Sequence, residues 1–163
     1  MKMQTNGKKI SDSESHISRV MMPTDANIAG NVFGGTILKM IDEVSGLAAI
    51  RHCNSNVVTA SIEHMDFLYP VHIGDLLTMD AKLTYVGTSS MEVLVRVTAE
   101  NLITGDTHSA GDSLVTLVAL DRDGHPRQVP RLVLLTDQEK RMFADGEERR
   151  KRRIERTKAR KDG

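Results

Sequence analysis

The sequence lacks several features that mark whole classes of protein. It has one cysteine, Cys53, and no tryptophan among its 163 residues. A lone cysteine excludes an intramolecular disulfide and favours a reducing compartment. No apolar run reaches the roughly 18 residues that a membrane-spanning helix needs, and residues 1–10 lack the apolar middle of a signal peptide. We therefore expect a cytoplasmic chain with no membrane span.

Motifs for metals and nucleotide cofactors are also absent. The six histidines show no paired metal-ligand spacing, and the chain contains no CxxC, Walker loop or GxGxxG motif. Cys53 follows His52, but the pair lies at the end of a predicted helix, where the helix dipole disfavours a thiolate. A Cys–His nucleophile is therefore set aside, and the sequence predicts no bound metal and no cofactor.

Charge is balanced overall but unevenly distributed. Residues 136–163 hold 11 Lys and Arg against 7 Asp and Glu, whereas residues 1–135 hold 11 against 15. Such a basic tail either attracts phosphates or nucleic acid, or forms a solvated helix that frays. Three phenylalanines and two tyrosines leave few rings on which bases stack. We therefore expect a solvated helix and no nucleic-acid partner.

The order of the predicted elements defines the fold class. Apolar alternation and short turn-forming linkers predict strands at residues 15–22, 57–68, 75–86, 91–102 and 107–120. An apolar helix is predicted between the first two strands, at residues 34–52. Because a helix that is apolar on nearly all sides needs cover, the pattern indicates an α+β fold. We expect an antiparallel curved sheet wrapped around one central helix, followed by a charged C-terminal helix.

Composition divides the chain into three parts. Residues 1–14 are polar and are expected to be disordered. Residues 15–133 have the length and apolar content of one domain with a core. Residues 134–163 form the charged basic helix or tail.

Asp42 is the residue in the predicted helix that most needs an explanation. At 100° per residue it falls in one narrow sector with Gly35, Gly46 and Ala49, on a helix that is otherwise largely apolar. A carboxylate buried in such surroundings is rare unless it is paired or used. Asp42 is therefore either a catalytic acid or a structural residue that Ser45 or a nearby loop satisfies by hydrogen bonding.

The start of the helix is the second candidate element. Gly34 and Gly35 offer unpaired backbone N–H groups at the positive end of the helix dipole, where an oxyanion is stabilised. Asp42 lies about 10 Å further along the axis, too far to act on the same carbonyl. Two antiparallel copies of the helix would bring them together, so we expect a homodimer with shared sites. Asn31 precedes the glycines and either orients substrate or serves only in a turn.

Three segments together carry a resemblance to a known family. They are PTDAN at residues 23–27, GNVFGG at 30–35 and MIDE at 40–43, and the similarity continues at residues 51–54, 66–70, 74–75, 87–90 and 127–131. The chain resembles the hotdog-fold acyl-CoA thioesterases over about residues 15–133. Within that family it is most similar to the brain-type cytosolic acyl-CoA hydrolase and its bacterial single-domain relatives.

The resemblance implies an activity and roles for these residues. The expected reaction is hydrolysis of an acyl-CoA thioester to a free carboxylic acid and CoA, as in fatty acid metabolism. Asp42 matches the family's catalytic acid, acting as a general base or a nucleophile, and Asn31 matches an active-site asparagine. Gly34 and Gly35 would hold the oxyanion. The family commonly assembles as a trimer of dimers, so a hexamer is expected.

CoA is part of the substrate and of the product, and the resemblance also implies where it is held. The candidate CoA-binding residues are Gly87, Thr88, Ser89, Ser90, Arg127 and Arg131, with Lys39 as a further cation. The alternatives are an ordinary hairpin turn at residues 87–90 and plain surface charge for the cations. A hotdog dehydratase would need a His–acid pair, and this helix has no histidine before His52. The alternative is a non-catalytic acyl-CoA-binding or nucleic-acid-binding hotdog protein.

Overall fold

The structure is a computed structural model that describes residues 7–162. Two α-helices are present in this range, α1 (Gly34–Cys53) and α2 (Asp137–Lys161). The strands are β1 (Lys8–Lys9), β2 (Ser15–Val20), β3 (Asn56–Glu63), β4 (Leu76–Val86), β5 (Ser90–Glu100), β6 (Thr107–Leu120) and β7 (Leu132–Val133). Neither described helix combines the length and the apolar character that crossing a membrane requires.

Five of the strands form one antiparallel sheet in the order β2-β4-β5-β6-β3. Alternate residues of β5, from Met91 to Val97, are fully buried, as period-2 patterning requires of a strand with one face on the core. Irregular pairing in β3, β4 and β6 bends the sheet, because each bulge increases the local twist. The prediction of an α+β fold with a curved antiparallel sheet and a helix is confirmed.

Helix α1 packs on one face of this sheet. Its buried side includes Ile37, Ile41, Val44 and Ala48. The opposite side carries the exposed residues Leu38, Asp42, Leu47 and Ile50. The curved sheet thus covers the buried side of α1 and leaves the opposite side exposed in the single chain.

Residues near the N-terminus are more ordered than the sequence suggests. Strand β1 pairs in parallel with β7, and Ile10 is buried in the short 3₁₀ turn that follows. Lys8 Nζ also donates to the Arg51 carbonyl and to Asn54 Oδ1 at the end of α1. The expected disorder of residues 1–14 thus differs from the structure at residues 8–12, while residues 1–6 lie outside the described range.

Helix α2 docks against the sheet face opposite α1. Glu92 alternates with the core residues of β5 and points to this outer face, where Arg149 Nη2 lies 2.6 Å from its Oε1. The Phe143 and Tyr85 rings pack with centroids 4.8 Å apart. Gly146 is buried against Tyr85, and the contact is so close that any side chain at position 146 would collide with Tyr85. The expected solvated helix is therefore wrong in part: α2 is charged but firmly attached.

Candidate active site

The N-terminus of α1 has free backbone donors. Phe33 is the N-cap and contributes no side-chain cap, while its own N–H donates to the Asp25 carbonyl. Among the described residues, the Gly34 and Gly35 amides donate to no partner. A side chain at Gly35 would collide with the Phe33 ring. The helix therefore presents two unpaired N–H groups and the positive end of its dipole to whatever binds here.

A tight turn precedes this helix terminus. Asn27 N donates to the Asn31 carbonyl at 2.7 Å, and Asn31 N donates back to Asn27 Oδ1 at 3.2 Å. The buried Asp25 holds the start of the segment, since its carboxylate accepts from Met22 N at 2.8 Å. The two asparagines are thus fixed relative to each other and to the Gly34 and Gly35 amides.

A cavity of about 360 Å³ opens at this helix terminus. Asn31 and Gly34 contribute polar groups to its lining, and most of the other lining residues are apolar. The lining residues include Asn31, Gly34, Ile37, Phe67, Tyr69 and Val71. A cavity with a few polar donors among apolar walls suits a small ligand with a polar head and an apolar chain.

Asp42 lies further along α1 beside the edge strand β3. Its Oδ1 accepts a hydrogen bond from Thr59 Oγ1 at 2.6 Å. Ser45 Oγ donates to the Asp42 backbone carbonyl, not to the carboxylate. The side chain is exposed in the single chain, so the expectation of a buried acid is wrong here. The carboxylate accepts one short hydrogen bond, and no group within residues 7–162 donates to its second oxygen.

The sequence-predicted residues fall into separated groups. Asn31, Gly34 and Gly35 are brought together at one end of α1, whereas Asp42 lies about 10 Å along the helix axis. A general base or nucleophile must come within about 3 Å of its target. Within one chain, these groups therefore cannot act on the same reacting atom.

The third group lies at the C-terminal end of α1. The Gly87–Ser90 loop joins β4 to β5, and its Thr88 carbonyl accepts from Val129 N at 2.9 Å. This contact brings residues 127–131, with the exposed Arg127 and Arg131, alongside the loop. His52 Nε2 donates to the Pro130 carbonyl at 2.8 Å and ties the segment to α1.

Burial governs the chemistry of His52. The side chain is fully buried, and its Nδ1 has no hydrogen-bond partner in the part of the chain that the structure describes. Burial lowers the pKa of His52 below its ordinary value of 6.5, against the opposing effect of the hydrogen bond to Pro130. His52 is therefore a neutral structural residue at pH 7, which agrees with setting aside a His52–Cys53 catalytic pair.

The sequence alone did not identify two residues of this region as members of the site. Thr59 contacts Asp42, and Asn27 binds Asn31 in the turn. Strand alternation predicts the face on which Thr59 lies, but not which helical residue it meets. Asn27 stands in the PTDAN segment that carries the family resemblance, and that motif was the available signal.

Comparison with known proteins places these features in context. The profile of the thioesterase superfamily matches residues 29–105. A Bacillus subtilis protein named as an uncharacterized acyl-CoA thioester hydrolase is 44% identical over 122 residues, which cover 75% of this chain and 70% of that protein. The mouse cytosolic acyl coenzyme A thioester hydrolase is 34% identical over 142 residues, or 86% of this chain. The match spans only 37% of the length of the mouse protein.

Solved structures extend the similarity to the whole described fold. An apo-hexameric acyl-CoA thioesterase is 39% identical, with a TM-score of 0.86, over 91% of this chain and 96% of its own. An acyl-CoA hydrolase of Staphylococcus aureus, solved with butyryl-CoA, CoA and CoA disulfide, is 37% identical with a TM-score of 0.85, over 95% of this chain and 94% of its own. The same enzyme has been solved with an aspartate, an asparagine or a threonine replaced by alanine.

Proposed function

This chain belongs to the thioesterase superfamily, among the acyl-CoA thioester hydrolases, and from that premise we propose how it works. It hydrolyses an acyl-CoA thioester to a carboxylic acid and CoA. The observation that carries the proposal is the arrangement along α1. Free Gly34 and Gly35 amides stand at its start, and the Asp42 carboxylate, held by Thr59, stands seven residues beyond Gly35.

The active site is shared between two subunits. Strand β3 is an open edge of the sheet, paired only with β6 among the described strands. The adjoining face of α1 exposes Leu47 and Ile50. An apolar surface beside an open strand edge suits a second copy of the same chain. If the two α1 helices run antiparallel, the helix terminus of one subunit lies beside Asp42 of the other.

The reaction begins at the thioester carbonyl. Its oxygen accepts hydrogen bonds from the Gly34 and Gly35 amides of one subunit, which stabilise the negative charge that develops on attack. Asp42 of the partner subunit either takes a proton from water, whose oxygen then attacks the carbonyl carbon, or attacks it directly to give an anhydride that water opens. In the first route the C–S bond then breaks and Asp42 gives its proton to the leaving sulfur. In the second route the C–S bond breaks as the anhydride forms, CoA leaves as the thiolate, and the water that opens the anhydride supplies the proton that sulfur takes up.

Thr59 is a positioning residue for Asp42. Its hydroxyl donates to Oδ1 at 2.6 Å, which leaves Oδ2 free to act as base or nucleophile. Short hydrogen bonds to an ionised oxygen are roughly twice as strong as neutral ones. Thr59 therefore fixes the carboxylate in a single orientation toward the neighbouring subunit.

The asparagine of the site has two candidates, Asn31 and Asn27. In the S. aureus enzyme the three changed residues are separated by 15 and 17 positions, in the order Asn, Asp, Thr. The same spacing in this chain joins Asn27, Asp42 and Thr59. This agreement favours Asn27 as the asparagine of the site. Asn31 would then hold the Asn27 side chain, because the Asn31 backbone N–H donates to Asn27 Oδ1 at 3.2 Å.

CoA extends from the reacting carbonyl toward the Gly87–Ser90 loop. Gly87, Thr88, Ser89 and Ser90 supply backbone and hydroxyl donors for pantetheine or phosphate oxygens. Arg127 and Arg131 supply cations beside them, because Val129 N binds the Thr88 carbonyl. The chemistry uses only these side chains and water, so no metal or cofactor is needed.

The assembly and location follow from the relatives. Several similar structures are hexamers, so we propose a trimer of dimers for this chain. The mammalian relatives are named cytosolic, and a single buried cysteine suits a reducing compartment. We therefore place this chain in the cytoplasm.

Thiol release from a panel of acyl-CoAs tests the proposed function. Asp42→Ala should lower kcat by at least about 10²-fold, since it removes the general base or nucleophile. Glu43→Ala is the matched control, because Glu43 is the next acid on α1 and meets only Lys39 at 3.9 Å. Equal rates for wild type and Asp42→Ala would refute the proposed chemistry.

Mixed subunits test whether the site is shared. Asn27→Ala and Asn31→Ala are measured separately, and the inactive one is combined with Asp42→Ala. Random mixing should restore up to about a quarter of wild-type activity, since half of the dimers are mixed and each has one intact site of two. A mixture that stays as inactive as its components would place the whole site within one chain.

A further inference from the structure

The Gly87–Ser90 loop presents donors that no described residue satisfies. Gly87 N donates to the Ser90 carbonyl at 2.8 Å and closes the loop. The Thr88 and Ser89 carbonyls accept from Val129 and Ala119, so they are occupied. Within residues 7–162, the Thr88 and Ser89 amides donate to no partner. The loop thus turns its N–H groups outward, toward a ligand that accepts hydrogen bonds.

Arg150 of α2 lies directly beside this loop. A methyl group on Gly87 would lie 3.2 Å from Arg150 Nε and 2.8 Å from Ser90 Oγ. Glycine therefore lets the guanidinium approach the loop backbone. The Arg150 side chain is half-buried, so it is confined to this place and does not extend freely into solvent.

Of the cations near Arg150 on α2, three are paired, whereas Arg150, Arg152 and Arg153 form no ion pair within residues 7–162. Arg149 binds Glu92, Lys151 binds Glu148, and Arg156 binds Glu63. No ion pair in the described part of the chain includes Arg150. Since Arg149 and Gly146 fix α2 against β4 and β5, Arg150 is held at the loop without a carboxylate to neutralise it.

We propose that Arg150 binds a phosphate of the nucleotide part of CoA, so that α2 forms part of the substrate site. The inference rests on the proposed function and adds a residue from outside residues 15–133. A guanidinium makes charge-assisted, often bidentate, hydrogen bonds with phosphate oxygens, and the loop amides complete the same site. Arg150 thereby favours CoA thioesters over thioesters that lack the nucleotide.

Arg150 acts on binding, not on the chemical step. The loop lies at the C-terminal end of α1, because His52 binds Pro130 in the segment beside it. Asp42 lies ten residues before His52, or about 15 Å along the helix axis. Arg150 therefore cannot touch the thioester carbonyl that Asp42 attacks, and its loss should change KM and leave kcat almost unchanged.

Two thioesters of the same acyl group separate these effects. One is butyryl-CoA, and the other is the butyryl thioester of N-acetylcysteamine, which has no phosphate. Arg150→Ala should raise KM for butyryl-CoA roughly tenfold or more. For the N-acetylcysteamine thioester, kcat/KM should match wild type within about twofold. Arg150→Lys keeps a point charge and should show an intermediate KM.

Arg152→Ala is the matched control on the same helix. It removes the same charge, but its side chain is exposed and lies about 200° around the helix from Arg150. An equal rise in KM for Arg152→Ala would show that the positive charge of α2 attracts CoA without a specific site, and it would overturn the proposal. So would equal losses by Arg150→Ala on both thioesters, which would indicate damage to the fold.

Calorimetry keeps this test independent of catalysis. CoA binding is compared for Asp42→Ala alone and for Asp42→Ala with Arg150→Ala, and the second should bind roughly tenfold more weakly. Dephospho-CoA identifies the phosphate: if Arg150 binds the 3′-phosphate, the two proteins should bind dephospho-CoA equally. If Arg150 binds the diphosphate, the difference should persist. No difference with either ligand overturns the proposal, whereas hydrolysis by wild type decides the proposed function separately.

Discussion

The two helices lie on opposite faces of one sheet and are held there by different forces. Helix α1 buries a stripe of apolar side chains against the core. In α2 the one buried residue of the described helix is Gly146, and its attachment depends on Arg149, Glu92 and an aromatic contact. On the side away from the sheet, α1 exposes an apolar face and α2 exposes a row of cations.

The exposed sides of the two helices differ in chemistry, and each suits a different ligand. The free face of α1 carries Asp42 and is apolar enough to receive a second subunit. The free side of α2 carries cations that suit a phosphate, and Arg150 lies nearest the loop. Under these two proposals, α1 serves the reacting end of the substrate and α2 serves its nucleotide end.

Arg149→Ala should have the largest effect on stability, because it breaks the attachment of α2. Glu92 is only 3% exposed, and its carboxylate would be left buried with Thr84 as its remaining partner. Breaking one side of a buried ion pair costs about 3–5 kcal/mol. Urea unfolding followed by circular dichroism measures this loss.

The double variant Arg149→Met with Glu92→Gln provides the control for that measurement. It removes both charges and keeps an acceptor for the Thr84 hydroxyl. Most of the lost stability should return, since replacing both members of a buried pair is often nearly neutral. If Arg149→Ala lowers the free energy of unfolding by less than about 1 kcal/mol, the Arg149–Glu92 pair behaves like an exposed salt bridge. It would then not explain how α2 is attached to the sheet.

A glycine in each helix gives the second test, with opposite signs. A methyl group at Gly146 would lie 2.5 Å from Tyr85 Cβ, so Gly146→Ala should cost about 1–3 kcal/mol. A methyl group at Gly46 meets nothing within 4 Å, so Gly46→Ala should gain about 0.5–1 kcal/mol. Thermal melting of both variants measures the difference. Destabilisation by Gly46→Ala would indicate that a neighbouring subunit covers this point of α1.

The smallest effect concerns the end of α1 and is absent at neutral pH. Burial lowers the pKa of His52, so the unfolded chain takes up a proton more readily than the folded chain. Stability should therefore be level above pH 6.5 and fall as the pH drops below it. Urea midpoints from pH 7.5 to 5.5 should decline less for His52→Gln. His16→Gln, which changes an exposed histidine, is the control for the substitution itself.

Much of the fold could be predicted because buried positions recur at regular intervals in the sequence, at every second residue in a strand. The alternation of β5 and the turn residues that bound β4 and β6 place these strands within one or two residues of their observed ends. Helix α1 likewise begins at Gly34 as expected. Strand β3 ends at Glu63, five residues before the prediction, because apolar residues 67–69 line the irregular segment beside the α1 terminus.

The site was only partly predictable because its contacts join distant segments. Asp42, Gly34 and Gly35 stand out by chemistry and position on one helix. The hydrogen bond from Thr59 depends on the side-by-side placement of β3 and α1, which no local pattern encodes. The docking of α2 is similar: Arg149 reads as one of many surface cations until Glu92, 57 residues away, is placed beneath it.

The parallel pairing of β1 with β7 has a topological consequence. It sets Lys8 beside Leu132, so the segment from β1 to β7 is almost a closed ring. Ends that lie together permit circular permutation. A short linker between these ends, with new termini in the exposed turn at residues 102–105, would keep every strand and α1 but would omit α2, which follows β7. The sheet and α1 should therefore tolerate a different order of the same segments, whereas α2 and its Arg150 can be kept only in the native order.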